Sequence, residues 1–366
     1  LQLSSKTALE TARTKLDVDE WKSVRRLSFE LLVSMCEASP PLCRKLNNNS
    51  FVQEVVRCCF EFLVEGEDDL AIGEENLSRV IHSLGTKSTM RVCLTCVEVC
   101  LSASSSSEAN RRRGGLCGLT VLLEYNWNAA GTLALGDLIN SVLNYLKNDP
   151  DFGVRLSATN CIASMCTNLS PELHNFHHAP VVSTLLLSLD ENVNASSELR
   201  VQTCGGLISF VQLCPVDILQ QYSDAIMGRL VQSTRGWGRG RGEGEIEVVQ
   251  GAVTAIGTMA ATLKLNFDRY YTPIVTLLQA QFGEEGLLED GLVLLKCKML
   301  ESISTIFLAV GKDIFGNDGI AFLRMIATID LNSLDDNIMK TYLLQAWARM
   351  AKAVEGENIA PFLPLI

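Results

Sequence analysis

The chain has little of what catalytic sites are usually built from. Four histidines serve 366 residues, and no Ser/His/Asp or Cys/His arrangement has sequence support, so a general-base mechanism has little to work with. Three of those histidines, His174, His177 and His178, gather in "HNFHHAP" near a turn. A packed or solvated connector is the ordinary reading there, ahead of a metal site. Alternating strand-like segments are scarce, which argues against a β architecture. Positive charge is also short: 31 Lys and Arg face 42 Asp and Glu, a net charge of −11. Such a chain repels nucleic acid overall and favours basic partners. No apolar run approaches the roughly 20 residues needed to span a membrane, and no segment has signal-peptide features.

Thirteen cysteines are present, but they lack the spacing of a disulfide framework. They fall inside apolar helical patterns, as Cys161 and Cys166 do in "NCIASMC", and read as buried, reduced thiols of a cytosolic or nuclear protein. "CLTCVEVC" (Cys93, Cys96, Cys100) has the spacing of a zinc half-site. On a helix those positions form one buried stripe, and no second Cys or His pair follows at a suitable distance. "AVGKDIFG" lacks the glycine spacing of a phosphate loop. These residues point to no enzyme, cofactor or metal site.

Amphipathic helix is what the chain has in quantity, with apolar residues at i, i+3, i+4 and i+7. Self-similarity organises it. Seven twelve-residue windows align without gaps, starting at Val24, Arg111, Val154, Leu199, Val248, Leu295 and Met339. From Arg111 onward the steps are 43, 45, 49, 47 and 44 residues. The longer gap before Arg111 holds a divergent unit around "ENLSRVIHSLG". That period is the HEAT class of paired helices, roughly 40–47 residues.

Columns five, nine and twelve trace a buried face; column eight is small in six of seven windows (Gly118, Cys161, Gly206, Ala255, Ser302, Ala346), which lets a neighbouring helix approach. Column two is basic at Arg25, Arg112, Arg155, Arg200, Lys296 and Lys340, a ladder of inter-repeat ion pairs or a solvated basic stripe. Each window is preceded by another amphipathic segment, so each unit is an outer helix A followed by an inner helix B. The expected fold is an all-α, HEAT-repeat α-solenoid of about eight antiparallel helix pairs in a curved superhelix. Approximate repeats are 1–38, 40–84, 86–126, 133–169, 171–214, 216–264, 267–311 and 314–355, with a partial unit at 358–366. Both ends look cut, as in a fragment of a longer solenoid.

Two acidic clusters fall in expected A-to-B connections. One holds Glu65, Glu67, Asp68, Asp69, Glu74 and Glu75; the other holds Glu284, Glu285, Glu289 and Asp290. Solvated turns, or contacts for Lys/Arg-rich partners, are the two readings. "TRGWGRGRGEGE" from Thr234 places Arg235, Trp237, Arg239 and Arg241 in the longest repeat step. It reads as an expanded connector, with an auxiliary contact through Trp237 and the arginines as the alternative; the net charge opposes a third reading, nucleic-acid binding.

The runs "LESISTIFLAVGKDIF" and "AWARMAKAVEGENIAPFLP", with "VRLSATNCIASM" and "LRVQTCGGLISFVQLCP", resemble the importin-beta (karyopherin-beta) nuclear transport receptors, nearest the importin beta-three branch. The resemblance implies a receptor that shuttles between cytoplasm and nucleus. It would bind basic localisation signals against a concave face lined by B helices and release cargo to Ran-GTP. It also implies binding to Phe-Gly nucleoporins. Most Ran contacts would lie in repeats before Leu1, and the acidic stretch at 65–75 resembles the family's acidic insertion. Columns four, seven and eleven supply a polar stripe suited to an extended basic peptide: Ser157, Asn160, Ser164, Gln202, Ser209, Thr254, Thr258, Glu301, Thr305, Gln345 and Arg349. A HEAT-repeat scaffold or adaptor of a multiprotein complex shares the periodicity and is the alternative.

Overall fold

The computed structural model describes residues 18–46, 50–103, 105–125, 135–194, 196–235, 242–283, 292–329, 337–354 and 359–365. Among them the ordered elements are helices, in two compact units divided after Leu169.

In the first unit the helices are α1 (Val18–Ala38), α2 (Pro40–Lys45), α3 (Ser50–Glu65), α4 (Glu67–Leu84), α5 (Thr86–Leu101), α6 (Ala109–Leu123), α7 (Leu135–Asn148) and α8 (Phe152–Asn168). Helices α3, α5 and α7 pair with α4, α6 and α8, and the second members pack on one another in sequence order. Phe29 of α1 stacks on Phe62 of α3 with ring centroids 4.4 Å apart. Both rings are fully buried; each such side chain contributes about 1.5–3 kcal/mol relative to exposure.

The second unit holds α9 (Glu172–Phe176), α10 (His178–Ser188), α11 (Ser197–Leu213), α12 (Val216–Thr234), α13 (Glu243–Leu263), α14 (Asp268–Gly283), α15 (Val293–Val310), α16 (Lys312–Phe315), α17 (Asp318–Ala327) and α18 (Asn337–Val354). Its inner layer is α11, α13, α15 and α18, each packed on the next, with α10, α12, α14 and α17 outside them. Phe307 of α15 anchors the last pairs, with Phe315 and Phe322 centroids at 5.2 and 5.3 Å. Gly311 at φ 78° ends α15, so the glycine of "AVGKDIFG" serves as a helix stop.

The column residues behave as a packed seam. Ile162, Leu207, Ile256, Ile303 and Trp347 are all buried. Column eight shows why it is small. Ser302 Oγ donates to the Val253 carbonyl across the α13–α15 contact at 2.8 Å, and a Cβ on Gly257 would lie only 3.2 Å from Ser302 Cα.

The first window needs a correction. In α1 the buried apolar residues are Trp21, Phe29, Val33 and Cys36, whereas Leu31 and Met35 are exposed. Its apolar face runs one residue later than columns five, nine and twelve, while Arg25 keeps column two, because α1 carries apolar residues on every side.

Half of the basic column forms the expected ladder, each member reaching forward into the following helix pair. Arg112 meets Asp149 in the α7–α8 turn through two contacts, Nε to Oδ2 at 2.7 Å and Nη2 to Oδ1 at 3.0 Å. Arg25 pairs with Glu65, and Arg200 with Glu245 at the start of α13. Asp151, which precedes Arg155 by one turn, instead caps α8 by accepting from the Val154 N–H at 3.0 Å. Arg155 and Lys296 lie over the rings of Phe152 and Phe282 at 5.8 and 5.3 Å, and Lys340 is half-buried on α18.

A second correction concerns apolar length. The helical run Glu243–Phe282 reaches 40 residues with a window of mean hydropathy 1.4, enough by length and composition to cross a membrane. Its apolar residues are already committed: Val253, Ile256, Met259 and Leu278 are fully buried in the unit. The small residues interleaved with them hide this length from a reading by continuous apolar runs.

Candidate functional site

Groove-forming geometry appears where α13 ends. The chain leaves α13 through Lys264, whose backbone takes φ 51° and ψ −125°, a region that side-chain-bearing residues rarely enter. A short 3-10 turn, Lys264–Phe267, follows. Phe267 is buried beneath it, while Leu265 is 65% exposed. This turn walls one end of a groove of about 930 Å³. The floor is Gly257 and Ser302; Ile208 and Gln212 of α11 form one side, and Glu301 and Thr305 of α15 the other.

Four residues of the polar stripe come together in this groove: Thr254, Thr258, Glu301 and Thr305. The three threonine hydroxyls donate back to their own helix, to the carbonyls of Gln250 (2.9 Å), Thr254 (2.9 Å) and Glu301 (2.7 Å). Their protons are spent, so toward a ligand these oxygens act as acceptors. Glu301 is the carboxylate among the groove-lining residues. Its Oε2 lies 3.1 Å from Lys298 Nζ and its Oε1 3.5 Å from Arg349 Nη2 on α18. Burial works against the Lys298 ammonium, but hydrogen bonds with Tyr342 and Glu301 outweigh it and hold its pKa above the ordinary value. Acceptors and one anion on the α13 and α15 sides, with Lys264 at the far end, suit an extended chain that brings N–H groups and a cation to Glu301.

The rest of the stripe is placed differently. Ser157 is buried at 7% exposure and accepts from the Cys117 thiol at 3.6 Å; its candidacy is corrected, because the α6–α8 contact covers it. Ser164 is half-buried, and its hydroxyl points to the Thr120 carbonyl at 3.5 Å. Asn160 and Gln345 are exposed, Gln202 and Ser209 half-buried, and none of these lines the groove. Arg349 joins it only through Glu301.

The acidic stretch is not a loop. Gly66 alone makes the turn, and α4 begins at Glu67. Asp69 is buried and accepts from Arg26 Nε at 2.8 Å; Glu65 pairs with Arg25. Two of the six carboxylates are thus spent on ion pairs with α1, Glu65 on the ladder and Asp69 on the neighbouring Arg26. Glu74 is half-buried and Glu75 exposed, while the side chains of Glu67 and Asp68 lie outside the described residues. So do Glu284, Glu285, Glu289 and Asp290, and Trp237, Arg239 and Arg241.

The histidine cluster is packed. His174 is fully buried and its Nε2–H donates to the Phe210 carbonyl at 2.9 Å, while His178 Nδ1 meets the Tyr222 hydroxyl at 2.7 Å. Cys93 and Cys100 are buried and Cys96 part-buried; burial pushes the Cys96 thiol up to about 11. Lys264, Leu265, Ile208 and Gln212 were missed by column reasoning. Three of them fall outside the column set, and a backbone turn brings two of these into place.

No protein-family profile matches the chain. It is 23% identical over 362 residues to importin subunit beta-3 of Saccharomyces cerevisiae, covering 93% of this chain and 32% of that protein. It superposes on Kap121p bound to the SUMO protease Ulp1p with a TM-score of 0.81 at 19% identity, covering all of this chain and 34% of the other. On Kap121p bound to Nup53p the TM-score is 0.78 at 20% identity, over 94% of this chain and 33% of that one. The chain therefore spans about a third of the length of these relatives. The fold is that of the karyopherin HEAT-repeat solenoids, and the resemblance to the importin-beta family near its beta-three branch is borne out.

Proposed function

We propose that this chain, similar along nearly its whole length to importin subunit beta-3, is a segment of a nuclear import receptor and binds an extended basic stretch of cargo in the groove between α11, α13 and α15. The supporting observation is within the lining: three hydroxyls left only as acceptors and the Glu301 carboxylate, with the Lys264 ammonium confined to the turn at the groove's end, on a chain of net charge −11. Binding there needs no catalytic group. Release by Ran-GTP, contact with Phe-Gly nucleoporins and shuttling between cytoplasm and nucleus belong to the same proposal for the whole receptor.

The test is fluorescence anisotropy with lysine-rich peptides at rising salt. Affinity should fall with ionic strength, as for a charge-assisted contact, and Glu301→Lys should weaken binding at least about ten-fold, the equivalent of ~1.4 kcal/mol. Equal binding of lysine-rich and glutamate-rich peptides would refute the proposal.

A further inference from the structure

Glu301 is not an empty-handed carboxylate. Lys298 approaches one of its oxygens from one turn back on the same helix, and Arg349 approaches the other from α18. The two cations are held differently. Lys298 has a second attachment, its ammonium lying 5.1 Å over the Tyr342 ring. Arg349 touches Glu301 only at 3.5 Å, the long limit of a hydrogen bond, and its Nη1 is shielded from solvent without a partner among the described residues. A guanidinium normally forks onto a carboxylate through two short contacts. This one makes a single long contact and leaves a donor unused.

We infer that Arg349 is a resident competitor for the groove, a cation of the protein standing where a basic side chain of the ligand must go. The inference rests on the cargo-binding reading above and deepens it by naming a residue that sets selectivity. An incoming ammonium or guanidinium with a shorter contact to Glu301 Oε1 displaces Arg349, which is already one-quarter exposed and turns to water. A stray cation gains nothing by that exchange, since it replaces one charge pair with another. A basic residue gains only when its neighbours are also held, by the hydroxyls of Thr254, Thr258 and Thr305 and the apolar wall at Ile208. Arg349 thus selects for a cation embedded in an extended chain, against isolated charge.

The experiment measures a fluorescein-labelled Lys-Ser-Gly repeat peptide binding to the 366-residue chain by anisotropy. Arg349→Gln should bind it about two- to five-fold tighter, the range for removing a partly exposed ion pair. Glu301→Gln should bind it more weakly, and Arg349→Gln should give no gain in the Glu301→Gln background, as a double-mutant cycle requires when the two act through one contact. Arg349→Lys, which keeps the competing charge, should show no gain. Arg349→Met keeps the packed stem and substitutes if the glutamine variant has a lowered urea midpoint. Peptide bound by the wild type and weakened by Glu301→Gln, but not tightened by either neutral variant, overturns the competitor role alone. Absence of peptide binding in the wild type and both neutral variants overturns the cargo reading as well.

Discussion

Arg112 and Asp149 form a buried two-point ion pair between consecutive helix pairs, with side chains only 4% exposed on each side. The Arg112 guanidinium is satisfied further by the Ser105 carbonyl at 2.6 Å, and Asp149 by the Asp151 N–H at 2.9 Å. Hydrogen bonding to Asp149 outweighs burial and raises the Arg112 pKa. Arg112→Ala should destabilise the first unit by about 3–5 kcal/mol, because it strands a buried carboxylate. The double replacement Arg112→Met/Asp149→Leu should recover most of that loss. Urea unfolding followed by circular dichroism distinguishes the two; equal loss in single and double variants would show that the pair itself contributes the stability.

Gly257 sits where α13 and α15 come closest. An added Cβ would lie 2.9 Å from Ser302 Oγ and 3.2 Å from its Cα, and the second of these is backbone that cannot swing aside. Gly257→Ala should cost about 1–3 kcal/mol despite the better helix propensity of alanine. Gly257→Val should also fill the groove floor, so peptide binding should fall by more than the loss of folded protein explains.

Lys264 carries positive φ in a turn that shapes the groove. Lys264→Gly should stabilise the second unit by about 1 kcal/mol, since glycine enters that region without a Cβ clash. A lower urea midpoint in the glycine variant would mean that the lysine side chain makes up for its backbone.

His174 ties stability to pH. Burial lowers its pKa below the ordinary 6.5, against the hydrogen bond to Phe210. With Nε2 donating to that carbonyl, a proton added at Nδ1 finds no acceptor among the described residues. The sign follows from linkage: the unfolded chain binds the proton more readily, so the stability is present above pH 6.5 and is lost as pH falls toward the folded pKa. The urea midpoint should drop between pH 7 and 5.5, and His174→Leu should flatten that slope whatever its effect at pH 7.

Much of this architecture was legible because a repeat writes the same physics several times. Column nine is apolar whether it holds Ile256 or Trp347, and column eight is small where helices touch. The register of α1 misled because Leu27, Leu31 and Met35 are apolar without being buried, and periodicity cannot choose between two apolar faces. The acidic stretch misled because one glycine suffices for the turn, so charges placed in a loop belong to the end of α3 and to α4. The groove was half visible. Its hydroxyls and carboxylate lay in the predicted stripe, whereas the turn at Lys264 is a backbone conformation that no side-chain pattern announces.

Twelve of the thirteen thiols are buried, and Cys96 alone is part-exposed. They occur along both units, from Cys36 in α1 to Cys297 in α15. A buried thiol reacts with an alkylating reagent only when its surroundings open. The chain therefore carries its own set of local clocks. Timed labelling read by peptide mass would rank the helix pairs by how often each opens, from native cysteines and with no probe introduced.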